Sequence, residues 1–268
     1  MFRDKKKQAR KALTLKAVSM RSLAPPGSQA EQAGRLFLAA ILVVFLPQLP
    51  LGNYIGYPFV ILTTWFHEMG HGLTAMLLGN SFEQLVILPG GSGFALSSID
   101  VEASRVERAA IAAGGPIAPS LVGAMLILTS AKPRLWQAAF YTLAAVLVGS
   151  VLVWVRSWTG ILVLPAMALM FVYVARAATP AIQRFILQFV GILAAMSMFH
   201  DWDYLFSQSA VINGQTMLSD TGAMEAQLGL PYWFWAGAII LVSFAIVGMA
   251  LKIALKANAR PKSVWPPR

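Results

Sequence analysis

The sequence predicts an all-α polytopic membrane protein of about 6–7 transmembrane helices, with a small membrane-associated β-hairpin after the second of them. Three observations predict it. Of 268 residues, 57% are hydrophobic and only 12% charged, outside the balance of a soluble domain. Apolar runs of about 20 residues, the length that crosses a bilayer as a helix, recur along the chain. One glycine-rich, β-prone stretch breaks their succession.

The chain opens with MFRDKKKQARKALTLKAVSMRSLAPPGSQAEQAG, a basic segment over 1–34. It is too long and too charged for a cleaved signal peptide and lacks a small-residue cleavage site, so it is expected to be a disordered cytosolic tail. Apolar segments follow at 36–51, 57–79, 108–130, 135–155, 160–176, 182–206 and 232–255. The first is short and ends in Pro47 and Pro50, which leaves six and seven spans both open. Between the second and third lies SFEQLVILPGGSGFALSSID, in which PGGSG separates two β-prone runs and reads as a hairpin turn. The polar stretch QSAVINGQTMLSDTGAMEAQLGL, 208–230, is expected to hold a short helix with Ser219 or Asp220 as its N-cap. There is no internal repeat and no second, soluble domain.

Net charge is +10, but the Lys and Arg residues lie mainly in the first 35 residues, the last 17 and the short inter-helix loops. That placement fits anionic lipid headgroups and the positive-inside rule, not nucleic acid. The rule also produces a conflict. Seven spans with the basic N-terminus inside would put Lys252, Lys256, Arg260, Lys262 and Arg268 outside, so either one segment is re-entrant or the rule fails at one end. Cysteine is absent, so there is no disulfide and no thiolate, and any metal must be held by nitrogen and oxygen.

The chemistry centres on WFHEMGHGLTA, 65–75. His67 and His71 are four residues apart, so on a helix they project from one face, where two imidazoles can hold one tetrahedral metal. Glu68 lies beside them and is positioned to take a proton from a water acidified by that metal. A carboxylate inside an apolar segment is costly unless it has such a use. A third protein ligand is needed, and MFHDWDYLF at the end of the sixth segment offers His200, Asp201 and Asp203. Two residues apart on a helix, Asp201 and Asp203 cannot both reach one ion. Asp201, on a face with Gly191, Ala194 and Ser197, is favoured and Asp203 stays open; if neither ligates, Asp220 or a water is next in line.

HEMGH on an apolar helix, the Gly-rich hairpin after it, AAGGPIAPSLVGAML opening the next helix and a late membrane aspartate resemble the site-2 protease superfamily, in its M50B-like branch. The resemblance spans roughly 57–206. It implies a membrane-embedded zinc endopeptidase that cleaves within or beside a transmembrane helix of a membrane-protein substrate, in the cell (plasma or inner) membrane. It also implies His67 and His71 as ligands, Glu68 as base and Asp201 or Asp203 as third ligand. The chain then divides into the basic tail, a transmembrane metallopeptidase domain over 35–256 and a basic C-terminal tail over 257–268. Two departures stand out. No Leu-Asp-Gly sequence is present, and the Gly-Pro-x-x-Asn pattern reads Gly115, Pro116, Ile117, Ala118, Pro119. With no PDZ-like insert, any regulation of that kind is expected from a separate subunit. Two other classes fit the same residues: an ion-coupled transporter using the polar groups as a cation path, and a catalytically idle scaffold.

Overall fold

Residues 28–200, 202–212 and 214–259 are described by a computed structural model of the chain. The expected N-terminal tail before Ser28, Asp201 and the end of the C-terminal tail lie outside them. In chain order the elements are α1 (Gln29–Phe45), α2 (Gly52–Leu77), β1 (Ser81–Ile87), β2 (Gly93–Ser98), α3 (Arg105–Ser130), α4 (Trp136–Val153), α5 (Trp158–Ala177), α6 (Pro180–His200), α7 (Trp202–Leu205), β3 (Ser209–Ile212), β4 (Gln215–Leu218), α8 (Asp220–Leu228) and α9 (Tyr232–Ala259).

Local sequence sets the helix starts. Ser28, Ser104, Ser157 and Ser219 each accept a backbone N–H with their side chains at the first turn. Ser104 and Glu107 form a reciprocal capping box. Among the described residues, six stretches are long and apolar enough to cross a membrane, those containing α1, α3, α4, α5, α6 and α9. The second apolar segment of the sequence, α2, is not among them.

The directions of these six helices are fixed by their contacts. α1 and α6 run the same way: Arg184 donates to Gln32 Oε1 near both starts (2.8 Å), and Val43 and Leu46 share a groove with Leu193 and Met196 near both ends. α3 runs opposite to α6, with Gly123 against Ala195 and Ile127 against Gly191. α9 follows α3, since Ala109 clusters with Ala236 and Ile239 while Ile127 clusters with Ala254. Gln137 near the start of α4 reaches the Ala175 carbonyl near the end of α5, so these two are antiparallel. The six therefore alternate in direction along the chain.

α2 joins the end of α1 to the start of α3, two points on the same side of this bundle, and between them packs into its interior, with Phe59 edge-on to Phe189 of α6. Its start is pressed against the end of α1, where a Cβ on Gly52 would lie 1.7 Å from the Leu46 carbonyl oxygen. Its end is tied to the start of α3: Asp100 N–H donates to Asn80 (2.9 Å) and Arg108 to the Asp100 carbonyl (2.7 Å). The conflict raised by counting seven spans disappears with α2 removed from the count.

The expected hairpin is present, β1 pairing antiparallel with β2 from Ser81↔Ser98 to Ile87↔Gly93. Its turn closes by Leu88 and Ser92, with Gly91 at φ +93°, a conformation open to glycine. The outer edge of β1 is covered. Leu85 exchanges backbone bonds with Trp154 and Arg156, and Phe82 stacks on Trp154. Among the described residues β2 pairs only with β1. The 208–230 excursion holds more than the expected helix: β3 and β4 form a second hairpin, and Ser219 is the N-cap of α8.

Candidate metal centre

The site is built where α2 and α3 cross at closest range. A Cβ on Gly70 would meet the Gly114 carbonyl oxygen at 2.4 Å, and one on Gly114 would meet Thr74 Oγ1 at 2.3 Å. Only glycine at both positions lets the backbones approach so closely. Gly115 leaves room for the ligand itself, since its Cβ would stand 2.1 Å from His71 Nε2. The Gly-Gly-Pro sequence thus makes space for an imidazole.

His71 Nδ1 lies 2.8 Å from the Ile111 carbonyl oxygen. A carbonyl only accepts, so Nδ1 carries a proton and Nε2 is the nitrogen left to serve a metal. That Nε2 lies 3.1 Å from His67 Nε2. The carboxylate brought to them is Asp220, with Oδ2 3.0 Å from His67 Nε2 and Oδ1 3.2 Å from His71 Nε2. Asp220 is buried, and no hydrogen bond reaches its Oδ2.

Sequence reasoning placed this carboxylate at Asp201 or Asp203. Asp203 is exposed on α7 and does not join the cluster; Asp201 and the side chain of His200 lie outside the described residues. That Asp220 lies beside the histidines has a physical cause. After α7 the chain leaves as the β3–β4 hairpin and folds back, so the start of α8 packs on α3. Ser219 N–H donates to the Gln208 carbonyl (3.1 Å), Thr221 Oγ1 donates to the Leu205 carbonyl (2.8 Å), and a Cβ on Gly222 would lie 2.0 Å from Gln208 O. The local signal was Ser-Asp-Thr-Gly: a cap, an acid in the first helical turn, and a glycine. Burial raises the Asp220 carboxyl, but His71 and His67 more than offset it and hold the group below the usual carboxylate range.

The donor set fits a tetrahedral zinc. Ligand bonds of about 2.0–2.1 Å put neighbouring ligand atoms about 3.3 Å apart, close to the 3.0–3.2 Å edges between these atoms. Two imidazoles and one buried carboxylate are zinc-type ligands and leave a fourth position. Glu68 is buried one residue from His67, and a Cβ on Gly93, the first residue of β2, would lie 3.1 Å from its Cγ. The hairpin therefore starts β2 directly at Glu68.

A helix bundle holding two histidines at i and i+4, an aspartate from a distant helix and a buried glutamate beside them has the makings of a membrane metallohydrolase. Residues 36–250 match the Peptidase M50B-like family, and the chain belongs to that family. No curated protein and no solved structure matches it.

One prediction arises from the crossing. Gly115→Ala should weaken zinc binding roughly tenfold or more, because the new methyl displaces the His71 ring. A helix-propensity effect alone would favour Ala by about 1 kcal/mol. Zinc affinity measured by chelator competition checks this; an unchanged affinity would show that Gly115 does not set the ring position.

Proposed function

We propose that the protein is a zinc-dependent intramembrane endopeptidase acting on membrane-protein substrates at a transmembrane helix. The observation that carries this reading is the donor triangle of His67, His71 and Asp220 with Glu68 buried beside it. His67 and His71 through Nε2 and Asp220 through its carboxylate would hold the metal. Zinc, when bound, polarises a scissile carbonyl and acidifies water. Glu68 takes the proton of the attacking water and returns it to the leaving amine. His71 is oriented by the Ile111 carbonyl, and the burial of Asp220 and Glu68 beside the half-buried histidines limits the access of bulk water to these charges.

Peptide bonds in a helix are shielded, so the substrate must unwind before it reaches Glu68. The free edge of β2 supports docking of that extended segment by strand addition, since it begins at Gly93 beside Glu68 while the β1 edge is already covered. Reconstituted enzyme with a panel of single-helix substrates tests the reading. Gly or Pro placed near the cut site should speed cleavage several-fold by lowering the cost of unwinding. Cation flux through the protein with no cleavage of any helix would replace this reading by a carrier.

A further inference from the structure

The two ends of the helix bundle carry opposite charge. At one end lie the starts of α1, α4 and α6 and the ends of α3, α5 and α9, with Arg35, Lys132, Arg134, Arg176, Arg184, Lys252 and Lys256. Glu31 is the acid described there, and it pairs with Arg35. Ser28 and Ala259 themselves lie at this end, and the sequence before and after them adds eleven further Lys and Arg residues against Asp4. At the opposite end lie Glu83, Asp100, Glu102, Glu107, Asp203, Asp220 and Glu225, with Arg105, Arg108 and Arg156. The candidate metal centre belongs to this acidic end. His71 meets α3 at Ile111 and Gly115, in the half nearer its start, and the start of β2 and the start of α8 adjoin it through Gly93 and Asp220.

Short loops rich in Lys and Arg stay on the cytosolic side of a membrane, and this bias sets orientation. Six spanning helices, with α2 linking the end of α1 to the start of α3 on the acidic side, put both basic termini on one side without contradiction. We infer that the bundle sits with its basic end in the cytosol and that the His67–His71–Asp220 centre opens toward the opposite, extracytosolic face. Its substrates are then membrane proteins that unwind in the extracytosolic half of their helix or just beyond it. The orientation stands on helix direction and charge; this consequence for substrates rests on the proposed peptidase reading.

The absence of cysteine makes the test direct, because each introduced cysteine is the sole thiol. Val101→Cys is 92% exposed between β2 and α3 at the acidic end; Arg134→Cys is exposed between α3 and α4 at the basic end. A membrane-impermeant maleimide applied to intact cells expressing the full chain should label Val101→Cys, and should label Arg134→Cys only after permeabilisation. The reverse pattern, or equal labelling of both in intact cells, would overturn the orientation. A second arm uses paired reporter helices with the same Gly-Pro cut region placed in either half of the membrane. Cleavage should favour the extracytosolic placement by at least tenfold, and preference for the cytosolic one would overturn the substrate assignment. If neither reporter is cut while the labelling is as expected, the peptidase reading fails and the orientation stands.

Discussion

Glu68→Gln should retain zinc and fold while cleavage of a membrane-helix substrate falls by at least about 10²-fold, the usual cost of losing a general base. The amide matches the carboxylate in size and can still hydrogen-bond, so packing against Gly93 at the start of β2 is undisturbed. What disappears is the capacity to accept a proton from water. The measurement is kcat on a reconstituted substrate alongside zinc stoichiometry of the same preparation. Near-normal turnover with full zinc would remove Glu68 from the mechanism, and loss of zinc together with activity would make it a ligand instead of a base.

The second large effect concerns the third ligand. Asp220→Ala should abolish stoichiometric zinc, a larger loss than the roughly 10–100-fold that an outer-sphere change costs, because two imidazoles alone do not complete a zinc site. Asp203→Ala should keep full zinc, since that side chain is exposed on α7. Asp220→Asn separates ligation from folding: the amide still fits the first turn of α8, and Ser219 and Thr221 still anchor that turn to Gln208 and Leu205. Elemental analysis of the three variants decides it. Full zinc in Asp220→Asn with depletion in Asp203→Ala would return the ligand to the α6–α7 junction.

Much of the protein was legible without coordinates because membranes constrain composition so strongly. Runs such as 232–255 must be helical, since no other backbone arrangement satisfies its own polar groups in hydrocarbon. The spacing of His67, Glu68 and His71 is local, and helical periodicity alone puts both imidazoles on one face. The PGGSG turn was equally local, and the hairpin closes there with Gly91 at positive φ. What local rules could not supply was the long-range return of the chain. Asp201 and Asp203 were nearer in sequence to a long apolar helix, yet the structure brings Asp220 to the histidines, because the β3–β4 hairpin reverses the chain and Gly222 lets α8 seat against Gln208. The count of spans was likewise undecidable from hydropathy. α2 reads as apolar by itself, and only its contacts with Leu46 at one end and, through Asn80, Asp100 and Arg108, with α3 at the other place both of its ends on one side. The sequence by itself determined the solvent, the secondary structure and the pairing of His67 with His71 on one helix face, each a matter of neighbouring residues. The tertiary structure decided which described carboxylate meets the histidines, which strand edge is left uncovered among the described residues and the end of the bundle at which the cluster lies, because each depends on packing between residues far apart in the chain.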